Sequence, residues 1–387
     1  MPKWEKMTVG DLCDTISDTY RGDDKDVVLI NTSDVLEGKV LNHQVVENKN
    51  LKGQFKKTFK ENDILYSEIR PANKRYAFVD FGDTDNYIAS TKLMVLRPRK
   101  DVVRPRFLFS FLASKSVLEE LQQLAETRSG TFPQITFSSE LAPTPINVPD
   151  LETQDRIVGI LDVIEGKIST NAEINKNLLQ QAQALYKDYF IDMNPFDGAM
   201  PVDWHQGTVS EIIELHDSKR IPLSSRERAD LAKVYPYYGA ASIMDYVDRY
   251  LFDGIYLLLG EDGTVADSRG FPILQYVYGK FWVNNHAHII TGKNGFSVEL
   301  LYLLFSLTSV QSIITGAVQP KISQANLNKV PVVIPSKEEL QTLDATIQPI
   351  FAQIRNLRNE NEKLAATRDA LLPKLMSGEL DVSNLTL

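Results

Sequence analysis

Trp4-Glu5-Lys6-Met7-Thr8-Val9, followed by Leu12, returns past the middle of the chain as Trp204-His205-Gln206-Gly207-Thr208-Val209, followed by Ile212. The copies lie 200 residues apart, and Pro2 and Pro201 precede them. A second pair of tracts matches with a one-residue gap: Gly130-Thr131-Phe132-Pro133-Gln134-Ile135-Thr136 and Gly316-Ala317-Val318-Gln319-Pro320-Lys321-Ile322-Ser323. Pro145 and Pro149 then correspond to Pro331 and Pro335 at an offset of 186. The second body is therefore 14 residues shorter than the first. A repeat unit this long is a duplicated domain, not a solenoid element.

Each copy runs into a helical stretch. From Glu152 to Phe190 an apolar stripe passes through Ile157, Leu161, Ile164, Ile168, Leu178, Ala182, Leu185 and Tyr189. With Asn171 and Asn175 in the gap, the steps alternate between four and three, a heptad seam. From Ser336 to Met376 the pattern repeats as Leu343, Ile347, Ile350, Ile354, Leu357, Asn361, Leu364, Arg368, Leu371 and Leu375, each 186 beyond its counterpart. Gly378 supplies a C-terminal stop. Helices of about 40 residues reach about 60 Å. Two such stripes in one chain predict an intramolecular coiled coil. If the helices pair antiparallel about a two-fold axis, Asn175 and Asn361 face each other and fix the register.

The two bodies read as mixed α/β. The first holds short β-type runs at Val27–Ile30, Asp63–Tyr66, Tyr76–Val79 and Leu93–Leu96, then one helix from Arg106 to about Ala125. The second has runs at Ile255–Leu259, Ile273–Val277 and His288–Ile290, then a helix from Ser297 to Leu307. The expected fold class is α+β. Its parts are a body over 1–150, a helix over 151–191, a second body over 192–335, and a helix with its tail over 336–387.

Composition narrows the function. The chain has 387 residues and a formal net charge of −9, which argues against gripping nucleic acid by bulk charge. The deficit is uneven: residues 1–150 carry a net −1 and residues 191–335 a net −4. The single cysteine, Cys13, excludes an internal disulfide. No apolar run reaches the ~20 residues of a membrane span, and the N-terminal residues lack the apolar core of a signal peptide. The expected location is cytoplasmic.

Catalytic motifs are missing. Gly166-Lys167 and Gly292-Lys293 lack the glycine loop of a nucleotide-binding turn, and Gly260-Glu261-Asp262-Gly263 would repel a phosphate. Asn194-Pro195-Phe196 lacks the second proline of the adenine-methyltransferase signature, and no nucleophile elbow is present. His286 and His288 have a spacing that can serve a metal, but no third ligand lies near in sequence, so no metal site is expected.

Nucleic-acid binding has better candidates. Lys49, Lys52, Lys56, Lys57 and Lys60 form one basic run, and Arg97, Arg99, Lys100, Arg104 and Arg106 another, either suited to phosphate oxygens. Base-reading candidates sit on glycine- or proline-punctuated loops: Arg70, Asn73, Lys74 and Arg75; Arg128, Ser129, Thr131 and Gln134; Thr264 and Arg269; Asn284, Asn285 and His286; Gln319 and Lys321. Arg, Asn and Gln can each make two hydrogen bonds to one base edge.

Together these tracts resemble the specificity subunit of type I restriction–modification systems. The resemblance covers essentially the whole chain. It rests on the duplicated Trp-opened bodies, the two Gly-led exits and the Gln154-Asp155-Arg156-Ile157 helix start. It rests also on Leu185-Tyr186-Lys187-Asp188-Tyr189-Phe190, on Leu371-Leu372-Pro373-Lys374-Leu375-Met376-Ser377-Gly378-Glu379-Leu380, and on Trp282-Val283-Asn284-Asn285-His286-Ala287-His288. It implies two target-recognition domains related by a pseudo-two-fold axis, each reading half of a bipartite asymmetric DNA target. The two helices would form an antiparallel coiled coil that sets the unread spacer.

The resemblance implies no cofactor and no catalysis in this chain. S-adenosylmethionine, ATP and Mg²⁺ would belong to two adenine-N6 methyltransferase subunits and to restriction/translocase subunits, around a single copy of this chain. A stand-alone, duplicated DNA-binding regulator is the alternative. A self-sufficient methyltransferase or nuclease would turn over DNA alone.

Overall fold

The computed structural model describes residues 4–22, 25–49, 53–127, 133–316 and 318–383. The chain divides into two units, Met1–Thr170 with Glu360–Leu387, and Asn171–Asn359. Both divisions fall inside long helices, Leu151–Tyr186 and Lys337–Ser377, so each unit is a body plus a length of each helix. No helix among the described residues is long and apolar enough to cross a membrane.

Both bodies open alike. In the first unit, strand Glu5–Thr8 pairs antiparallel with Pro145–Val148, with Thr8 opposite Pro145. In the second, His205–Thr208 pairs with Pro331–Ile334, with Thr208 opposite Pro331. Each threonine then starts a one-turn helix. The Thr8 N–H donates to the Asp11 carboxylate at 2.8 Å, and the Thr208 N–H to Glu211 at 2.8 Å. An acidic residue three positions past a threonine satisfies donors that a helix start leaves open. The sequence repeat is therefore a repeat of backbone pairing.

The likeness continues into the sheets, where the sequences no longer match. In the first unit Cys13–Ile16, Leu93–Pro98, Ile64–Ser67 and Tyr76–Phe78 lie side by side, all antiparallel. In the second the same succession is Ile213–Leu215, Ala287–Gly292, Phe252–Gly260 and Leu274–Val283. The register agrees as well. Ser67 lies opposite Leu93 and Gly260 opposite Ala287, while Leu96 lies opposite Thr15 and Ile290 opposite Leu215. Alternate residues of each central strand enter different cores: Ile64 and Tyr66 one and Leu65 another, as Leu257 and Leu259 do against Leu258. The bodies differ in what is added. The first carries a second four-stranded sheet of Val45–Glu47, Asp26–Ile30, Tyr87–Ser90 and Phe55–Lys57. The second instead extends its main sheet to six strands with Tyr235–Tyr238 and Ile243–Val247.

The helix expected from Arg106 to Ala125 is two, Pro105–Leu112 and Lys115–Thr127, separated at Ala113-Ser114 with Ser114 buried. The helix expected near Ser297 is Val298–Ser306, and Ser297 Oγ accepts from the Leu300 N–H at 3.1 Å as its cap.

Within each unit the long-helix segments run antiparallel. In the first, Arg368 reaches Glu165 at 2.5 Å and the Asn361 amide donates to the Ile168 carbonyl at 3.1 Å. In the second, Asn175 lines a groove with Phe351, Ile354 and Arg358. The expected Asn175–Asn361 pairing is thus corrected: each asparagine faces an isoleucine of the opposing segment. The reason is geometric. In an antiparallel pair one residue number rises as its partner's falls, so the register that sets 361 against 168 sets 175 against 354. Ile168 and Ile354 are themselves 186 apart.

Candidate nucleic-acid interface

The loop after each central strand is fastened to the exit tract by the same three-part clamp. In the first unit the Ile135 N–H donates to the Glu68 carbonyl at 2.8 Å, Ile69 bridges to Gln134, and the Arg70 N–H donates to the Pro133 carbonyl at 3.0 Å. In the second the Ile322 N–H donates to the Glu261 carbonyl at 2.8 Å, Asp262 bridges to Lys321, and the Gly263 N–H donates to the Pro320 carbonyl at 2.9 Å. Arg70 and Gly263 occupy the same point and both are left-handed, with φ of 46° and 80°. Glycine takes that conformation freely, while arginine must be held there. Candidate residues far apart in sequence are in this way brought together in each unit.

The first clamp presents a turn, Pro71–Asn73, buttressed by Gln122, whose Oε1 accepts from the Ala72 N–H at 3.0 Å. Asn73 and Gln134 are exposed and their side chains make no hydrogen bond among the described residues. Arg70 is also exposed. Lys74 pairs with Glu37 at 2.8 Å, and Arg75 donates to the Ser33 carbonyl at 3.0 Å, so Arg75 braces the turn. Arg128, Ser129 and Thr131 lie outside the described residues.

In the second unit Thr264, Asn285 and Gln319 are exposed with no side-chain hydrogen bond among the described residues. Arg269 pairs with Asp267 at 3.2 Å and lies over the Phe271 ring. Asn284 is buried: its Oδ1 accepts from the His286 N–H at 2.8 Å, and its own N–H donates to the Tyr238 carbonyl at 3.0 Å. It shapes the turn that presents Asn285. His286 pairs with Asp262, and Lys321 with Glu261 at 3.2 Å.

Beneath this loop lies an ionic cluster that sequence reading missed. His288 is fully buried, with Nδ1 2.6 Å from Asp217 Oδ2 and Nε2 donating to the Ile322 carbonyl at 2.8 Å. Asp217 also accepts from the Ile289 N–H at 2.8 Å and from Gln324 at 2.6 Å, and Arg220 reaches Glu261 at 2.6 Å. Burial pushes the Asp217 carboxyl up, yet bonds from His288, Ile289 and Gln324 outweigh it and hold the carboxyl below the ordinary aspartate range. Glu261 is likewise raised by burial and lowered further by Arg220, His288 and Lys321. Asp217, Glu261 and His288 bring possible metal-ligand atoms together. The Arg220 and Lys321 cations already balance the carboxylates, and both His288 nitrogens are engaged, so the cluster is an ion-pair network.

The second basic run is committed elsewhere. Arg97 makes a two-pronged pair with Asp63 at 2.8 and 2.7 Å, Arg99 with Asp14 at 3.2 and 2.5 Å, and Arg104 with Asp155 at 2.7 Å on both prongs. Arg106 lies over the Phe78 ring, 4.5 Å from its centroid. In the first run, Lys57 Nζ donates to the Thr91 and Leu93 carbonyls at 3.1 and 2.7 Å, Lys56 and Lys60 are exposed, and Lys52 lies outside the described residues.

Two unlike bodies thus share one sheet, one entry ladder and one clamp, and differ in the side chains the clamp presents. Residues 1–180 and 201–366 match the model of the type I restriction modification DNA specificity domain. The chain belongs to this family. It is 30% identical to the type I restriction enzyme HindI specificity subunit of Haemophilus influenzae, over 98% of this chain and 100% of that one. It is 26% identical to the MjaIX specificity subunit of Methanocaldococcus jannaschii, over 74% of this chain and 71% of that one. The crystal structure of a type I restriction–modification S subunit from M. genitalium has the same fold, with a TM-score of 0.51 at 18% identity, covering 97% of this chain and 96% of that one. For a type I specificity chain, DNA and the other members of a restriction–modification complex are the partners, and recognition rather than catalysis is the role.

Proposed function

We propose that this chain is the address-reading subunit of a type I restriction–modification complex, with each unit reading one half of a bipartite, asymmetric DNA target. The observation that supports this most is the repeated clamp, around which each unit exposes its own set of polar side chains: Asn73 and Gln134 in one unit, Thr264, Asn285 and Gln319 in the other. Amide side chains dominate that set, and a carboxamide matches the paired donor and acceptor edge of adenine.

The finer reading is that one copy works with two adenine-N6 methyltransferase subunits and with ATP-dependent restriction/translocase subunits in the cytoplasm. S-adenosylmethionine, ATP and Mg²⁺ would be bound by those partners. The acidic balance of this chain suits such an arrangement, because surfaces on the partners would supply the phosphate neutralisation that affinity demands.

Methylation-sensitive sequencing of a host carrying this chain with its methyltransferase tests the proposal. A split, non-palindromic adenine-methylated motif is expected. Exchanging residues 1–150 should change one half-site only. Inserting four residues into each long helix, near Asn175 and near Asn361, adds about 6 Å of length and should change the spacer while sparing both half-sites. Altered half-sites with an unchanged spacer would defeat the ruler role. Specific binding without partners would favour a stand-alone regulator instead.

A further inference from the structure

The clamps share their backbone bonds but are secured by different means. The first presents a short turn stiffened from outside by Gln122 and by the Lys74–Glu37 pair. The second presents a loop with left-handed glycines at both ends, Gly263 at φ 80° and Gly270 at φ 86°. That loop is closed by its own bonds: Ala266 bridges to Pro272, Asp267 Oδ1 accepts from the Arg269 and Phe271 N–H groups, and the Val310 N–H donates to the Gly270 carbonyl, so the network underneath bears on the exit tract rather than on the loop.

The shared register identifies what the first unit has in the same places. Met94 stands where His288 does, opposite Tyr66 as His288 is opposite Leu259. Gln134 stands where Lys321 does, and Glu68 where Glu261 does. The ionic network is therefore an addition of the second unit. It joins three separate segments of that unit: Asp217 takes hydrogen bonds from the Ile289 N–H and from Gln324, and His288 donates to the Ile322 carbonyl, next to the clamp. Moving the exit tract would carry Gln319 and Lys321 with it, and hydrogen-bond readout of a base tolerates only a few tenths of an ångström.

We infer that Asp217 and His288 are positioning residues for reading of the second half-site, holding the exit tract in register with the sheet without touching DNA themselves. This rests on the DNA-reading function proposed above. Removing the network should loosen discrimination at one half-site and leave the other intact.

The test uses the chain co-expressed with its methyltransferase subunits. The methyl-transfer rate is measured on duplexes bearing the full target, or the target with one base pair changed in either half-site. The readout is the ratio of rates on cognate and changed duplexes, which does not depend on the fraction of active complex. Asp217→Asn keeps the shape and the acceptor facing Ile289 but removes the charge. It should lower the ratio for the second half-site at least tenfold while the first stays within twofold. Gln324→Leu, an exposed residue contributing one tie, should lower the same ratio about threefold, and it decides the matter if the Asp217 variant does not assemble. Unchanged ratios, or ratios falling equally at both half-sites, overturn the inference. Wild-type complex showing no discrimination at either half-site would instead sink the function itself, and this inference with it.

Discussion

The Tyr276 hydroxyl donates to Glu299 Oε1 at 2.6 Å in the interior of the second unit, where the Glu299 side chain is only 4% exposed. Arg355 adds a charged bond to the same oxygen at 3.0 Å, and Gln348 donates to the other at 3.0 Å. Burial and the neighbouring carboxylate both push the Tyr276 hydroxyl up, so it stays protonated and remains a donor. Arg355 and Gln348 lie on the long C-terminal helix and Tyr276 on a central strand, so this carboxylate joins helix to body.

Arg355→Met should therefore destabilise the second unit by about 3 kcal/mol, because it strands a buried charge. Adding Glu299→Gln should recover at least half of that loss. Chemical denaturation of the single and double variants checks this, and additive losses would show the two groups to be uncoupled.

The arginine run of the first unit should matter for folding and not for DNA. Arg97→Met leaves the buried Asp63 carboxylate without its charged partner and should cost about 2 kcal/mol. Arg99→Ala and Arg104→Ala should leave the slope of log affinity against log salt unchanged in the assembled complex. A slope smaller by about one per substitution would make them phosphate contacts after all.

Asn175 Oδ1 is buried without a hydrogen-bond partner among the described residues. Replacing this side chain with an apolar one of similar size removes the unmet acceptor and should fill the groove beside Phe351 and Ile354. Asn175→Leu is expected to raise stability by about 1 kcal/mol, read as a higher denaturation midpoint. A loss would mean that the amide secures the helix segment in a way its contacts do not reveal.

Acid should weaken the second unit through the ionic network. Asp217 and Glu261 are both held below their ordinary values in the folded state. Their contribution is therefore complete above the unfolded carboxyl range and is lost as pH falls through the lower folded values. Asp217→Asn should flatten the acid limb of stability below about pH 4, measured by thermal unfolding at stepped pH. An unchanged acid limb would show that other carboxylates carry it.

The backbone plan was legible where chemistry is local. The apolar β-type runs match the central strands closely, whereas the helix starts that Thr8 with Asp11 and Thr208 with Glu211 mark by spacing went unread. The seam positions of the long helices were legible too, but their mutual register was not: a stripe shows which face is buried, not which residue it meets. The arginine run was misleading because its neutralising partners Asp63, Asp14 and Asp155 come from other elements. The clamp was half visible. Gln134 and Lys321 stood in a recognisable repeat, whereas Glu68 and Glu261 share only their residue type and a place just past a strand. Backbone-to-backbone bonds leave little mark on sequence, so a repeat held by them outlives its own letters.

Thr8 opposite Pro145 and Thr208 opposite Pro331 mean that the chain enters and leaves each body through neighbouring strands. A body attached at two adjacent points is a cassette. A foreign body whose ends close the same short ladder, and which offers the long helices partners equivalent to Tyr276 and Glu299, can be grafted in a single recombination event without changing either helix. Such a lineage can acquire a whole new address at once, instead of drifting towards one base at a time.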